Sequence, residues 1–211
     1  MKITIIYDNE VAKKGLKADW GFSCLIEVYG KKILFDTGAD GSILLDNMKK
    51  LGIYPATIEE VFISHAHWDH IGGLSGFLNQ NNNVKVYVPA SLRISGAEEV
   101  ISVSKPINIH ENIFSTGELE GIEQSMAIKT EKGIIVIVGC SHPGVKNILK
   151  AASQFGEPYA IIGGLHGFNE FDLIKNIALI CPTHCTQFKS EIKALYPEKY
   201  IDGGVGKIIE L

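Results

Sequence analysis

The chain has 211 residues, 45% of them hydrophobic, and carries a net charge of −4. That length suits one substantial core in a single domain over 1–211. The lysines are scattered, Arg93 is the sole arginine, and no apolar run is long enough to span a bilayer. This composition argues against nucleic acid and against a membrane as partners.

Residues 2–7, 23–29 and 31–36 are apolar or alternating and rich in Ile, Leu and Val. They predict successive strands of one antiparallel sheet. The N-terminus reads as the first of these strands, not as a signal peptide. Cys24, Cys140, Cys181 and Cys185 are too sparse for a disulfide framework, so the expected compartment is the reducing cytoplasm. Asp8–Gly21, with Trp20, predicts a loop beside a cleft. Phe35-Asp36-Thr37-Gly38 ends a strand in ordinary turn chemistry. Ser42–Leu51 predicts a helix closed by Gly52.

The apolar run Val61-Phe62-Ile63 leads into Ser64–Gly73, which reads Ser-His-Ala-His-Trp-Asp-His-Ile-Gly-Gly. Three histidines and an aspartate within six positions form a donor set for zinc, iron or manganese. A short helix is expected from about Ile71, then a turn at Asn79–Asn83 and a strand at Val84–Val88. Residues 90–118 have no clear period and are expected to cover the site; His110 within them reads as a surface histidine. Beyond them the pattern predicts strands at 125–130, Ile134–Val138, Tyr159–Ile162, Leu179–Cys181 and 207–210. Helices are expected from Pro143 to Phe155, over 169–177 and over 186–195. The alternation argues a layered α/β architecture.

Four apolar runs end in turns that carry histidine: Val61–Ile63 before His65, Ile134–Val138 before His142, Ala160–Ile162 before His166, and Leu179-Ile180 before His184. Neighbouring strands lie only about 5 Å apart, so such turns can converge. The expectation is a polynuclear metal site.

His65-Ala66-His67-Trp68-Asp69-His70 resembles the HxHxDH signature of the metallo-β-lactamase superfamily, and Phe35–Gly38 resembles its upstream aspartate motif. The resemblance covers nearly the whole chain and implies a four-layer αββα sandwich. Gly139-Cys140-Ser141-His142-Pro143-Gly144, Gly163–His166 and Pro182-Thr183-His184-Cys185 resemble one subgroup of metal-dependent hydrolases. That subgroup includes dihydropterin–ribofuranosylaminobenzene phosphate synthases and ferredoxin-like members. By this analogy His65 and His67 bind a first divalent ion, Asp69 and His70 a second, and His184 is the last ligand. Asp36 becomes a support for the ligands.

The familiar lactamase pattern has a further histidine ahead of a hairpin. Counting back from Cys140 arrives near Gly121, where there is none. His142 is the expected replacement, with Cys140 as a second candidate and His166 either an alternative last ligand or an acid facing the substrate. The chain is also shorter than the pterin-synthase members, chiefly across 90–118. The implied activity is metal-dependent hydrolysis of a small ester or phosphoester with an anionic group. Two ions, zinc first and iron or manganese otherwise, activate water, with Asp69 and His166 as catalytic groups. Two other classes stay open on the sequence alone: di-iron redox chemistry on the same fold, and metal binding without catalysis.

Overall fold

The computed structural model describes residues 1–211. Its first elements in chain order are β1 (Lys2–Tyr7), β2 (Ser23–Val28), β3 (Lys31–Phe35), α1 (Gly41–Lys50), β4 (Glu60–Phe62), α2 (Trp68–Ile71) and α3 (Leu74–Leu78). Then come β5 (Lys85–Pro89), β6 (Glu99–Val103), β7 (Ile107–His110), β8 (Ile113–Ser115), β9 (Met126–Thr130) and β10 (Gly133–Val138). The last are α4 (Val145–Ala152), β11 (Pro158–Gly164), β12 (Leu179–Thr183), α5 (Lys189–Leu195) and β13 (Ile208–Glu210). The chain divides into two compact units, Met1–Ser102 with Gly203–Leu211, and Val103–Asp202.

The first unit is built on a seven-stranded sheet in the order β13-β1-β2-β3-β4-β5-β6. β1, β2 and β3 run antiparallel, as their alternation predicts. Tyr29 and Gly30, with φ of 51° and 75°, make the tight turn that the twist of a hairpin favours. β3, β4 and β5 are parallel neighbours, so each step needs a crossover, and α1 supplies the first. Its start is fixed by Asp40, whose carboxylate accepts from the backbone N–H of Ser42 and Ile43, satisfying donors that the first turn leaves open. Leu44 and Met48, four residues apart, then share one face and bury against Leu34, Val61, Ile63 and Val86. Parallel strands end at the same edge of a sheet. Asp36 after β3 and Ser64–His70 after β4 therefore emerge side by side, with Phe35 opposite Phe62 in register.

The second unit has a six-stranded sheet in the order β12-β11-β10-β9-β8-β7. β7 to β10 are antiparallel, and β10, β11 and β12 are parallel. Every residue of Ile134–Val138 is buried, the mark of a strand covered on both faces. Val145, Ile148 and Ala152 of α4 pack with Val136, Val138 and Ile161 in one core. Val138, Gly163 and Pro182 are in register across the three parallel strands. The turns carrying His142, His166 and His184 thus leave one sheet edge together.

Three expectations are revised. Residues 90–118 are not an irregular cover: they supply β6 to the first sheet and β7 and β8 to the second, and His110 ends β7 half-buried. The helix expected over 169–177 is one 3₁₀ turn, Phe171–Ile174. Phe171, Ile174 and Ile177 repeat at intervals of three, which suits the three-residue turn better than an α-helix. The helix expected from 186 begins at Lys189, because Thr186 is held in the preceding turn by its hydroxyl, which donates to the Thr183 carbonyl at 2.8 Å.

Candidate metal centre

In the first unit the donors follow β3 and β4. Asp36 is fully buried, with a left-handed φ of 51°. Its Oδ1 accepts from the Ser64 N–H at 2.7 Å, and its Oδ2 from the Ser64 hydroxyl at 2.7 Å. The same Oδ2 lies 2.7 Å from His70 Nδ1. A carboxylate only accepts, so His70 carries its proton on Nδ1 and keeps a lone pair on Nε2. Ser64 gives its single proton to Asp36, so its oxygen accepts from His65 Nδ1 at 2.9 Å. His65 is therefore the same tautomer. One aspartate, directly and through a serine, sets which nitrogen of two buried imidazoles can bind a cation.

The His65 ring lies 4.1 Å from that of His70 and 4.6 Å from that of His67, centroid to centroid. Ligand atoms of Asp36, His65 and His70 all fall within 4.8 Å of one another, a spacing that a metal ion can use. Asp69 is buried and its Oδ2 accepts from Trp20 Nε1 at 2.9 Å. The Gly-Gly that closes the motif is a packing requirement. A Cβ on Gly72 would meet the Ala39 carbonyl oxygen at 2.1 Å, and one on Gly73 the Thr37 oxygen at 2.2 Å.

In the second unit, Cys140 and His184 are buried and His142 is half-buried. The Cys140 sulfur lies within 4.8 Å of a ring nitrogen of His142 and of His184. The His142 and His166 rings are 5.2 Å apart, and His166 is exposed. Ser141, His166 and His184 all have left-handed φ, 61°, 46° and 44°. Each such residue costs on the order of 1 kcal/mol, a strain that clusters at functional sites. The turns are locked to one another. Thr186 Oγ1 accepts from the Leu165 N–H at 2.9 Å, and the Gln187 N–H donates to the His166 carbonyl at 2.9 Å. A Cβ on Gly164 would meet the Gly139 oxygen at 2.5 Å and the Cys185 sulfur at 2.7 Å. The Cys185 thiol is drawn down to about 6, first by its hydrogen bond with Cys140, against the opposing effect of burial and with help from His184 and His166. A cleft of about 460 Å³ beside these turns is lined by His142, Lys146, Asn147, His166, Phe168 and Asn169 among others.

A family model described as the metallo-beta-lactamase superfamily matches residues 21–145, more than half of the chain. The chain belongs to the metallo-β-lactamase superfamily. A curated superfamily relative is 7,8-dihydropterin-6-methyl-4-(beta-D-ribofuranosyl)-aminobenzene-5'-phosphate synthase of Methanocaldococcus jannaschii. The two are 31% identical, over 90% of this chain and 89% of that protein. Their alignment runs over 263 positions, more than the 211 residues here, so the relative carries insertions. The structure of Tm1679, a metal-dependent hydrolase of the β-lactamase superfamily, aligns with a TM-score of 0.77 at 24% identity, over 100% of this chain and 99% of that one. Zn²⁺-bound PqqB from Methylobacterium extorquens aligns with a TM-score of 0.63 at 10% identity, over the whole of both chains. Two large sheets with helices are the metallo-β-lactamase fold that the motif implies.

The predicted residues fall into two groups, one per unit. In the first, His65 and His70 gather with Asp36 and His67 lies against the His65 ring, while the Asp69 carboxylate is held by Trp20; in the second, His142 and His184 gather with Cys140 and His166 lies beside His142. Two participants have roles that escape a reading of the sequence, Ser64 and Trp20. Ser64 adjoins His65, and a hydroxyl beside a ligand-type histidine is a usable signal. Trp20 sits 49 residues from its partner, and nothing local announces the pairing.

Proposed function

We propose that the chain is a metal-dependent hydrolase acting on a small, anionic ester or phosphoester. His65, His67, Asp69, His70, His142 and His184 are the proposed ligands of two divalent ions, with zinc the first choice and iron or manganese also suited to the donors. The observation that carries this reading is the Asp36–Ser64 relay, which engages Nδ1 of both His65 and His70 and so turns Nε2 into the nitrogen through which either ring would meet a cation. Imidazole and carboxylate donors of this kind fit such ions.

Bound divalent ions supply hydroxide near neutral pH and polarise the scissile bond. The chain's own groups do the rest. Trp20 restrains the Asp69 carboxylate through its indole N–H, so the carboxylate can orient the nucleophile. His166, exposed beside the cleft, can pass a proton to the leaving group. Lys146 and Asn147 line the same cleft and favour a substrate with negative charge. Neither nucleic acid nor a membrane enters this reading; no helix is long and apolar enough to cross a membrane. The cytoplasm is the proposed compartment.

The relative named as a synthase supports a second reading, in which the same metal-activated centre forms a bond instead of hydrolysing one. The test begins with protein purified without added metal, its elemental content and its absorption spectrum. It continues with a panel of phosphodiester, thioester, lactam and lactone substrates, each assayed with and without an acceptor alcohol or amine. Hydrolysis supports the first reading, and acceptor-dependent product the second. A His67→Ala protein with full metal content and full turnover would sink the ligand assignment.

A further inference from the structure

Glu123 is a fully buried carboxylate that neither the sequence motif nor the proposed reaction uses. It is presented by a tight reversal in which the Leu119 N–H donates to the Glu123 carbonyl at 2.8 Å, with Glu120 and Gly121 at φ of 56° and 67°. Its Oε1 accepts from the backbone N–H groups of Gly139, Cys140 and Ser141 at 3.0, 3.0 and 3.1 Å. Its Oε2 accepts from the N–H of His142 at 2.9 Å. Four successive amides of the turn after β10 are thus spent on one side chain.

Successive N–H groups point to one side only where the backbone curls, and here Ser141 supplies the curl with its φ of 61°. Such a concavity of amides is an anion site. In this chain the anion is part of the protein. Burying a carboxylate is costly unless its lone pairs are filled, and four charge-assisted hydrogen bonds fill them. The cost is met only in the curled form, so the carboxylate selects that form. It also leaves none of these four amides for an incoming substrate oxyanion.

We infer that Glu123 is a positioning residue, an internal anion that shapes the Gly139–His142 turn so that Cys140 and His142 face a metal ion. The inference rests on the proposed reading that this turn contributes metal ligands. Glu123→Gln keeps the shape but sets an N–H₂ against backbone donors at one of the two oxygen positions.

The test uses the whole chain with cobalt(II) as the probe, read by chelator competition and by the visible absorption of the cobalt-loaded protein; far-UV circular dichroism reports folding. Supporting partners of a ligand typically change metal affinity 10- to 100-fold when removed, so Glu123→Gln is expected to lower cobalt affinity about tenfold or more. The ligand-field bands are expected to shift with it, which a loss of stability alone would not cause. Glu123→Ala empties the cradle, and acetate should restore its cobalt affinity and spectrum while chloride at equal ionic strength does not. A folded Glu123→Gln protein with wild-type affinity and spectrum overturns the inference alone, as does indifference of Glu123→Ala to acetate. Failure of the wild-type chain to bind cobalt overturns the metal reading and the inference with it.

Discussion

Asp36→Asn is the sharpest single perturbation of the first donor cluster. The change adds no volume and removes one charge. An asparagine oxygen at the Oδ1 position keeps the bond from the Ser64 N–H. Its N–H₂ then occupies the Oδ2 position, facing the Ser64 hydroxyl and His70 Nδ1, both donors in the native arrangement. Hydrogen bonds to a charged group are worth about 1.5–3 kcal/mol each. Two are lost and reversed tautomers recover part of them, so metal-free protein should lose about 2–4 kcal/mol of stability. Reversal also moves the protons of His70 and His65 from Nδ1 to Nε2 and blocks the ligand nitrogens. Zinc affinity should fall about 10- to 100-fold. Urea unfolding of the metal-free protein measures the first effect, and competition with a chromophoric zinc chelator the second. An Asp36→Asn protein with the native urea midpoint and native zinc affinity would refute the relay.

Trp20→Phe removes the indole donor to Asp69 while leaving a half-exposed aromatic in place. It should cost about 1 kcal/mol of metal binding or turnover, roughly a fivefold effect, with little change in melting temperature. Asp40→Ala removes the cap of α1 and should cost about 1 kcal/mol in urea unfolding, with metal content unchanged. The Asp40 carboxyl is held below its ordinary 3.8, first by the Ser42 hydroxyl and then by the N–H groups of Ile43 and Ser42. A depressed folded pKa means that its stabilisation is present above 3.8 and fades as pH falls through the lower folded value. Asp40→Ala should accordingly be less sensitive to acid below that point, as acid titration of circular dichroism can test. Gly73→Ala drives a methyl group onto the Thr37 carbonyl oxygen and should destabilise by about 1–3 kcal/mol or abolish folding; a fully stable variant would contradict the packing described.

Much of the fold was legible because its signals are local. The alternation of residues 2–36 and the apolar run of Ile134–Val138 each state their own burial, and Leu44 with Met48 state the buried face of α1. Residues 90–118 were opaque for a physical reason. β6 and β7 are edge strands whose residues are mostly exposed or half-buried, so hydrophobic period has little to select there. The ligand-type histidines were legible because each closes an apolar run. Their supports were legible only in part. Asp36, which acts on His70 across 34 residues, is marked by the likeness of Phe35–Gly38 to the upstream aspartate motif, whereas Glu123 acts on His142 across 19 and looks like any turn carboxylate until the chain is folded.

The left-handed backbone at His166 and His184 sets two selections against each other. Glycine would relieve on the order of 1 kcal/mol of strain at either place, while on the proposed reading the imidazole side chain serves the chemistry. Directed evolution for heat resistance alone should therefore drift toward glycine at these positions and yield hardier, silent proteins. Only a screen that couples survival to turnover would keep the histidines.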